Sequence, residues 1–256
     1  MIIIKNKIAI ERMSFAGTRL ATIMEEIADD VVPGVTTLHI NNIIEEKMKK
    51  AELVPECKGY GGYRHATCIS LNDVLVHGVP SSTIVIQEGD LVKIDVVGSY
   101  KGYCADMARS FFVGEVSTVV RAITLAAQQA LDTAIAHIVP GRHLSDVSAC
   151  IQNVIEKAGF RVVRDFVGHG IGKRMHEAPE VPNFGTPGNG PILREGMTLA
   201  IEPMLTQGNP AITILADRWT AKTKDGGIAG HVEDTVLVSQ HGAHVLTRLH
   251  SGSHRF

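Results

Sequence analysis

A segment that recurs at a fixed offset constrains a fold more than any local pattern, because both copies must follow one plan. Here Val32-Pro33-Gly34 returns as Val139-Pro140-Gly141, 107 residues later. At the same offset Ile27, Ile40, Ile44, Met48 and Ala51 meet Ala134, Val147, Ile151, Ile155 and Ala158. Glu88-Gly89 meets Glu195-Gly196, Ile94 meets Ile201, and Asp95 meets Glu202. One register without a gap, from about Ser14 to Asp95, predicts two related α+β halves, roughly 10–115 and 116–250. No Pro-, Gly- or Ser-rich linker separates them, so the whole of 1–256 is expected to be one domain with a pseudo-two-fold axis.

Each half reads as two helices followed by a strand pair. An apolar stripe of Phe15, Leu20, Ile23, Met24, Ile27 and Val31 predicts a helix over Ser14–Val32, stopped by Pro33-Gly34. A second helix follows from about Thr37, with Leu38, Ile40, Ile43, Ile44 and Met48 inward. The Gly/Tyr-rich segment 59–63 precedes a strand predicted over Cys68–Val76, ending at His77. The opening Met1–Ile4 is apolar, but Lys5 and Lys7 interrupt it; it is too short for a membrane span or a signal core and reads as an edge strand.

The chemistry starts in the first strand pair, Glu88–Ser110. Val92, Ile94 and Val96 alternate with Lys93, Asp95 and Val97, the period of a half-buried strand. Gly98–Gly102 is the turn, and the return arm carries Asp106 across from Asp95. Two carboxylates ~4 Å apart repel by about 4 kcal/mol at an effective dielectric constant near 20, so a fold keeps them only with a proton or a cation. The second half repeats the arrangement through Glu202 and, on a longer return arm, Glu233 in Gly230-His231-Val232-Glu233-Asp234-Thr235. Four convergent carboxylates balance two divalent cations and suggest a dinuclear centre. On carboxylates alone magnesium, manganese or non-haem iron would fit. A nitrogen ligand would favour a transition metal, and His169, bracketed in Gly168-His169-Gly170-Ile171-Gly172, is the candidate.

Composition excludes other classes. Of 256 residues 45% are apolar and 20% charged, with a formal charge of −2, and nothing in these values suggests a nucleic-acid surface or a disordered tail. The four cysteines, Cys57, Cys68, Cys104 and Cys150, form no C-x2-C pair. They are expected as free thiols in a reducing compartment.

Taken in order, HGVP at 77–80, D-x10-D at 95 and 106, GHGIG at 168–172, MHEAP at 175–179, IEPM at 201–204 and HVED around 233 resemble the type I methionine aminopeptidases of the pita-bread metallopeptidase family. The resemblance runs from about Ile10 to Arg248. It implies an α+β fold in which two halves share a curved, mostly antiparallel sheet with helices on the outer face. It also implies two divalent metals (manganese, iron, cobalt or zinc) on Asp95, Asp106, His169, Glu202 and Glu233, with Asp106 and Glu233 bridging. In that family a hydroxide bridging the metals attacks the scissile carbonyl and Glu202 relays the proton. His77 lies near the scissile amide and His176 near the substrate carbonyl oxygen. A methionine pocket is expected from Cys57, Tyr60, Tyr63, Cys68, His77, Met175, His176 and Trp219, where sulfur–aromatic contacts are each worth about 0.3–1.5 kcal/mol. The implied substrate is the initiator methionine of nascent chains whose second residue is small, removed in the cytosol near the ribosome by a monomer. No membrane partner and no basic arm for ribosomal RNA are expected.

Several positions depart from the usual bacterial pattern: Gly61 for histidine, Met175 for an aromatic residue, Ala105 and Met107 around Asp106, Val97 near Asp95, and His231-Val232 before Glu233. None removes a ligand. Relatives that cleave before proline carry a further N-terminal domain for which this chain has no room. Type II enzymes carry a helical insertion between His176 and Glu202, where only 25 residues stand here. A catalytically silent binding protein on the same fold would lack ligands, and all five are present.

Overall fold

In the computed structural model residues 1–249 are described; the ends of the expected second half (residue 250) and of the expected domain (250–256) lie outside them. Among the described residues four α-helices fall in two pairs, α1 (Lys7–Glu26) with α2 (Thr37–Lys50) and α3 (Thr118–His137) with α4 (Leu144–Lys157), and a run of strands follows each pair. The first half contributes β1 (Val54–Pro55), β2 (Thr67–Leu71), β3 (Val74–Val76), β4 (Leu91–Tyr100) and β5 (Tyr103–Phe112). The second contributes β6 (Arg161–Val162), β7 (Gly168–Gly170), β8 (Glu177–Val181), β9 (Thr198–Ile201), β10 (Met204–Thr206), β11 (Ile212–Ile214), β12 (Ala221–Thr223), β13 (Ala229–His231), β14 (Glu233–Ser239) and β15 (Gly242–Val245).

The repeat is visible in the backbone. α2 and α4 begin and end 107 residues apart. Gly34 and Gly141, which enter them, have φ of 90° and 91°, a region that glycine enters without a Cβ clash. Even the isolated bridges Thr36↔Val85 and His143↔Ile192 keep the offset. The leading helices do not: α3 starts and ends 111 residues after α1. Thus α1 covers Lys7–Glu26 rather than Ser14–Val32, with a short 3-10 turn at Ala28–Asp30 behind it. Its early start rests on an Asn6 cap that accepts from the Ala9 amide and on the small buried residues Ala9 and Ala16, which extend the stripe through Met13 to Leu20.

Strands form a nine-stranded antiparallel sheet in the order β1-β4-β5-β14-β9-β7-β8, with β2 beside β4 and β15 beside β14, and two small three-stranded sheets. The sheet is antiparallel with the helices on one face, the pita-bread form that the resemblance implies. The halves meet where β5 pairs with β14, Glu233 opposite Ala108 and Asp234 opposite Met107. Helices α1 and α2 pack on β4 and β5 through Leu20, Ile44, Met48, Ile94, Val96 and Met107. Helices α3 and α4 pack on β9 and β14 through Ile123, Leu131, Ile151, Leu199 and Val236. With the helices on one face, the alternating residues of the central strands point to the other.

Two expectations fail. Met1–Ile4 is not a strand; the segment is held by the Lys5 amide on the Gly196 carbonyl and by a buried Lys5–Glu177 ion pair of 2.8 Å. The strand expected over Cys68–Val76 is broken into β2 and β3 by a turn in which Asn72 takes φ 47°. That turn is fixed by Asn72 and Asp90: the Asn72 side-chain amide donates to the Asp90 carboxylate at 2.7 Å, while the Leu91 amide donates to the Asn72 side-chain Oδ1 at 3.0 Å.

Candidate metal centre

Strand register explains why acidic residues collect on the face away from the helices. Asp95 lies opposite Ala108, and Val97 lies opposite Asp106. The two aspartates therefore sit diagonally on one face rather than directly across from each other. On its other side Ala108 faces Glu233, so a residue with only a Cβ separates two carboxylates in one row. Glu202 continues that row one step past the β14–β9 ladder, in which Asp234 faces Ile201. The neighbouring row contains Asp106, Thr235, Ala200 and His169. Thr235 Oγ1 accepts from the Asp106 amide at 2.8 Å and donates to its carbonyl at 2.8 Å, while Ala200 faces both Thr235 and His169. Alanine at the row positions and carboxylate or imidazole beside them leave a space bounded by ligand atoms.

Two overlapping groups of ligand atoms lie within 4.8 Å of one another: Asp106, His169 and Glu233, and Glu202, His231 and Glu233. His169 Nε2 is 3.7 Å from Asp106 Oδ2 and 3.6 Å from Glu202 Oε1. Its Nδ1 stands 3.0 Å from the Gly170 carbonyl; a proton on Nδ1 donates to that carbonyl and leaves the Nε2 lone pair facing the carboxylates. Asp106 Oδ1, Glu233 Oε1 and His231 Nε2 are buried without a hydrogen-bond partner, although such atoms normally find one. Asp95 is in neither close group, but it lines the same cavity and interacts with His231 and Glu202.

The electrostatics tell the same story. Burial, reinforced by Asp95, raises the Asp106 carboxyl well above its usual range. Burial, reinforced by Asp106, does the same to Glu233. Burial pushes Asp95 up to about 6, with His231 pulling the other way, and Glu202 up to about 8. Burial also lowers His77, His169 and His231 to about 4, so each imidazole is neutral at pH 7. Buried carboxylates that cannot all ionise, beside neutral imidazoles with free nitrogens, suit divalent cations by donor chemistry and by their unpartnered atoms. The residues fit such a group.

A cavity of about 110 Å³ opens beside the cluster, and every residue expected in the methionine pocket lines it: Cys57, Tyr60, Tyr63, Cys68, His77, Met175, His176 and Trp219. Tyr63 and Trp219 meet edge to face at 5.1 Å. A Cβ on Gly61 would stand 3.1 Å from Trp219 Cη2, so the glycine at this departure from the family pattern allows the indole to close over the pocket. Tyr60 Oη lies 3.0 Å from His176 Nδ1. His77 takes φ 59°, a costly conformation for a residue with a Cβ and one found at functional sites. An outer cavity of about 660 Å³ shares His77, His169, His176 and Glu202 and is walled in part by Met1 and Ile3.

All five expected ligands and both further histidines thus face one site. Sequence reasoning missed His231, noted only as a departure before Glu233. The spacing His231-x-Glu233 was the available signal, since residues two apart in extended chain share a face.

A family model described as metallopeptidase family M24 matches residues 11–240. A methionine aminopeptidase of Clostridium acetobutylicum is 41% identical over 247 residues, covering 96% of this chain and 99% of that one. The crystal structure of a methionine aminopeptidase from Thermotoga maritima superposes with a TM-score of 0.96 at 44% identity, covering 97% of this chain and 100% of its own. An Xaa-Pro dipeptidase from Bacillus anthracis superposes at 0.77 and 27% identity, but only 62% of that chain is covered.

Proposed function

The chain belongs to metallopeptidase family M24, and on that premise we propose that it is a dinuclear aminopeptidase that removes N-terminal methionine from peptides with a small second residue. Asp95, Asp106, His169, Glu202 and Glu233 hold the two metals within one catalytic domain. Asp106 and Glu233, each with a buried oxygen that has no protein partner, would be the carboxylates that both metals share. When bound, the metals supply Lewis acidity and bring the pKa of a water into the neutral range. Glu202 accepts the proton of the attacking water and passes it to the leaving amine. His176 donates from Nε2 to the carbonyl oxygen as negative charge develops there. The Tyr60 hydroxyl lies 3.0 Å from its Nδ1; in the tautomer with the proton on Nε2, that hydroxyl is the donor to Nδ1. His77 sits at the scissile nitrogen, and the thioether lies among Cys57, Tyr63, Cys68, Met175 and Trp219. Prime-side residues leave through the outer cavity.

The observation that carries this reading is the convergence of five ligand-type side chains, two of them with buried oxygens that have no partner, on a sulfur- and aromatic-lined cavity. Incubation with a Met-Ala-Ser peptide tests it: free methionine should appear with added metal and vanish with a chelator. Metal-independent peptide binding without release would make the protein a binding module, and preferential cleavage before proline would place it with the Xaa-Pro peptidases. Among the described residues no helix is long and apolar enough to cross a membrane. Work in the cytosol on nascent chains, as a monomer, completes the proposal.

A further inference from the structure

We infer that His231 is a sixth protein ligand, so that each of the two metals has its own imidazole. The inference rests on the proposed dinuclear site and adds a residue to it. His231 is the last residue of β13 and pairs with Met204. It precedes Glu233 by two, so both side chains face the carboxylate cluster. Its side chain is 2% exposed, and its Nε2 has no hydrogen-bond partner. That nitrogen stands 3.7 Å from Glu202 Oε2, while His169 Nε2 stands 3.6 Å from Glu202 Oε1. Glu202 is therefore bracketed by an imidazole on each oxygen. Glu233 belongs to both close groups of ligand atoms, one holding His169 and the other His231, so each imidazole has its own set around a shared carboxylate. Asp95, absent from both close groups, lines the same cavity and interacts with His231.

Strand geometry holds the ring in place. Ser110 Oγ donates to the His231 carbonyl at 3.1 Å. Two residues earlier the Ala229 carbonyl accepts from the buried Lys93 ammonium at 2.9 Å. An aliphatic or amide side chain at 231 would fill this space without offering a lone pair of comparable affinity for a borderline-soft cation. A second imidazole should shift the Asp95-side site from an oxygen-only set, suited to magnesium or manganese, towards cobalt, iron or zinc.

Cadmium-113 NMR on the full chain with ¹⁵N-labelled histidine tests this without turnover. Two cadmium resonances are expected, each split by one imidazole nitrogen. His231→Gln, and His231→Asn as a second replacement of similar polarity, should abolish the splitting of one resonance, shift it upfield and leave the other unchanged. Calorimetric titration of the metal-free protein with cobalt should show one equivalent weakened by at least ~30-fold in either variant. Two wild-type resonances of which only one couples to nitrogen would overturn the inference and leave the proposed function standing. Fewer than two bound cadmium ions in the wild type would remove both.

Discussion

At the scale of single residues the site works through groups whose ordinary ionisation is reversed. In the metal-free protein Glu202 at about 8 still holds its proton at neutrality, Asp95 at about 6 gives up its own just below it, and the imidazoles at about 4 hold none. Cations must displace carboxyl protons and displace none from histidine. Metal affinity should therefore rise from pH 6 to pH 8, about tenfold per pH unit for each proton released. Titration in buffers of different ionisation enthalpy measures that proton count, and an affinity flat across this range would contradict the assignment. For the reacting groups, His77→Ala and His176→Ala should each lower kcat by roughly two to three orders of magnitude, the usual worth of one positioned donor. Both should bind two metals almost normally. Wild-type turnover in either variant would exclude that histidine from the chemistry.

At the scale of elements, close backbone approach rather than side-chain packing aims the ligands. A Cβ added to Gly168 would stand 2.4 Å from the Ala200 carbonyl oxygen and 3.3 Å from Glu202 Cγ. Alanine there cannot be accommodated by a rotamer change, since the obstacle is main chain. Strand β7 must move away from β9 and take His169 with it. Gly168→Ala should cost about 1–3 kcal/mol of stability and weaken metal binding as well. Thermal denaturation with and without metal checks both, and a variant that keeps the wild-type metal affinity would show that β7 does not need this contact.

For the whole molecule the decisive join is the β5–β14 seam, where the halves share main-chain hydrogen bonds directly beneath the site. Asp234 is fully buried there between two guanidinium groups. It accepts from Arg109 Nη2 at 2.7 Å, Arg248 Nε at 2.6 Å and Thr247 Oγ1 at 2.8 Å. Arg109 also donates to the Glu233 and Thr247 carbonyls, so this network supports a ligand strand and the end of the chain together. Asp234→Ala should destabilise the fold by roughly 3 kcal/mol, the low end for a broken buried pair because both guanidiniums reach solvent. Denaturant unfolding measures this, and a loss below about 1 kcal/mol would mean the arginines find other partners. Lys93 makes a second join: its ammonium, lowered to about 7 by burial, donates to the carbonyls of Asn72 in one half and Ala229 in the other.

Spacing along one chain is enough to reveal the 107-residue repeat, the second helix of each half and the period-2 face of Asp95. Ordered motifs also locate Asp106, His169, Glu202 and Glu233 and the lining of the pocket. Where the first helix begins was hidden because Ala9 and Ala16 are weak apolar signals, and the break after Leu71 because Asn72 acts through a distant Asp90. Folding alone sets the diagonal of the aspartates across Ala108, the room that Gly61 leaves for Trp219 and the approach of His231 to Glu202. Register between strands and the approach of one half to the other arise from contacts among segments far apart in the chain, and no local period encodes them.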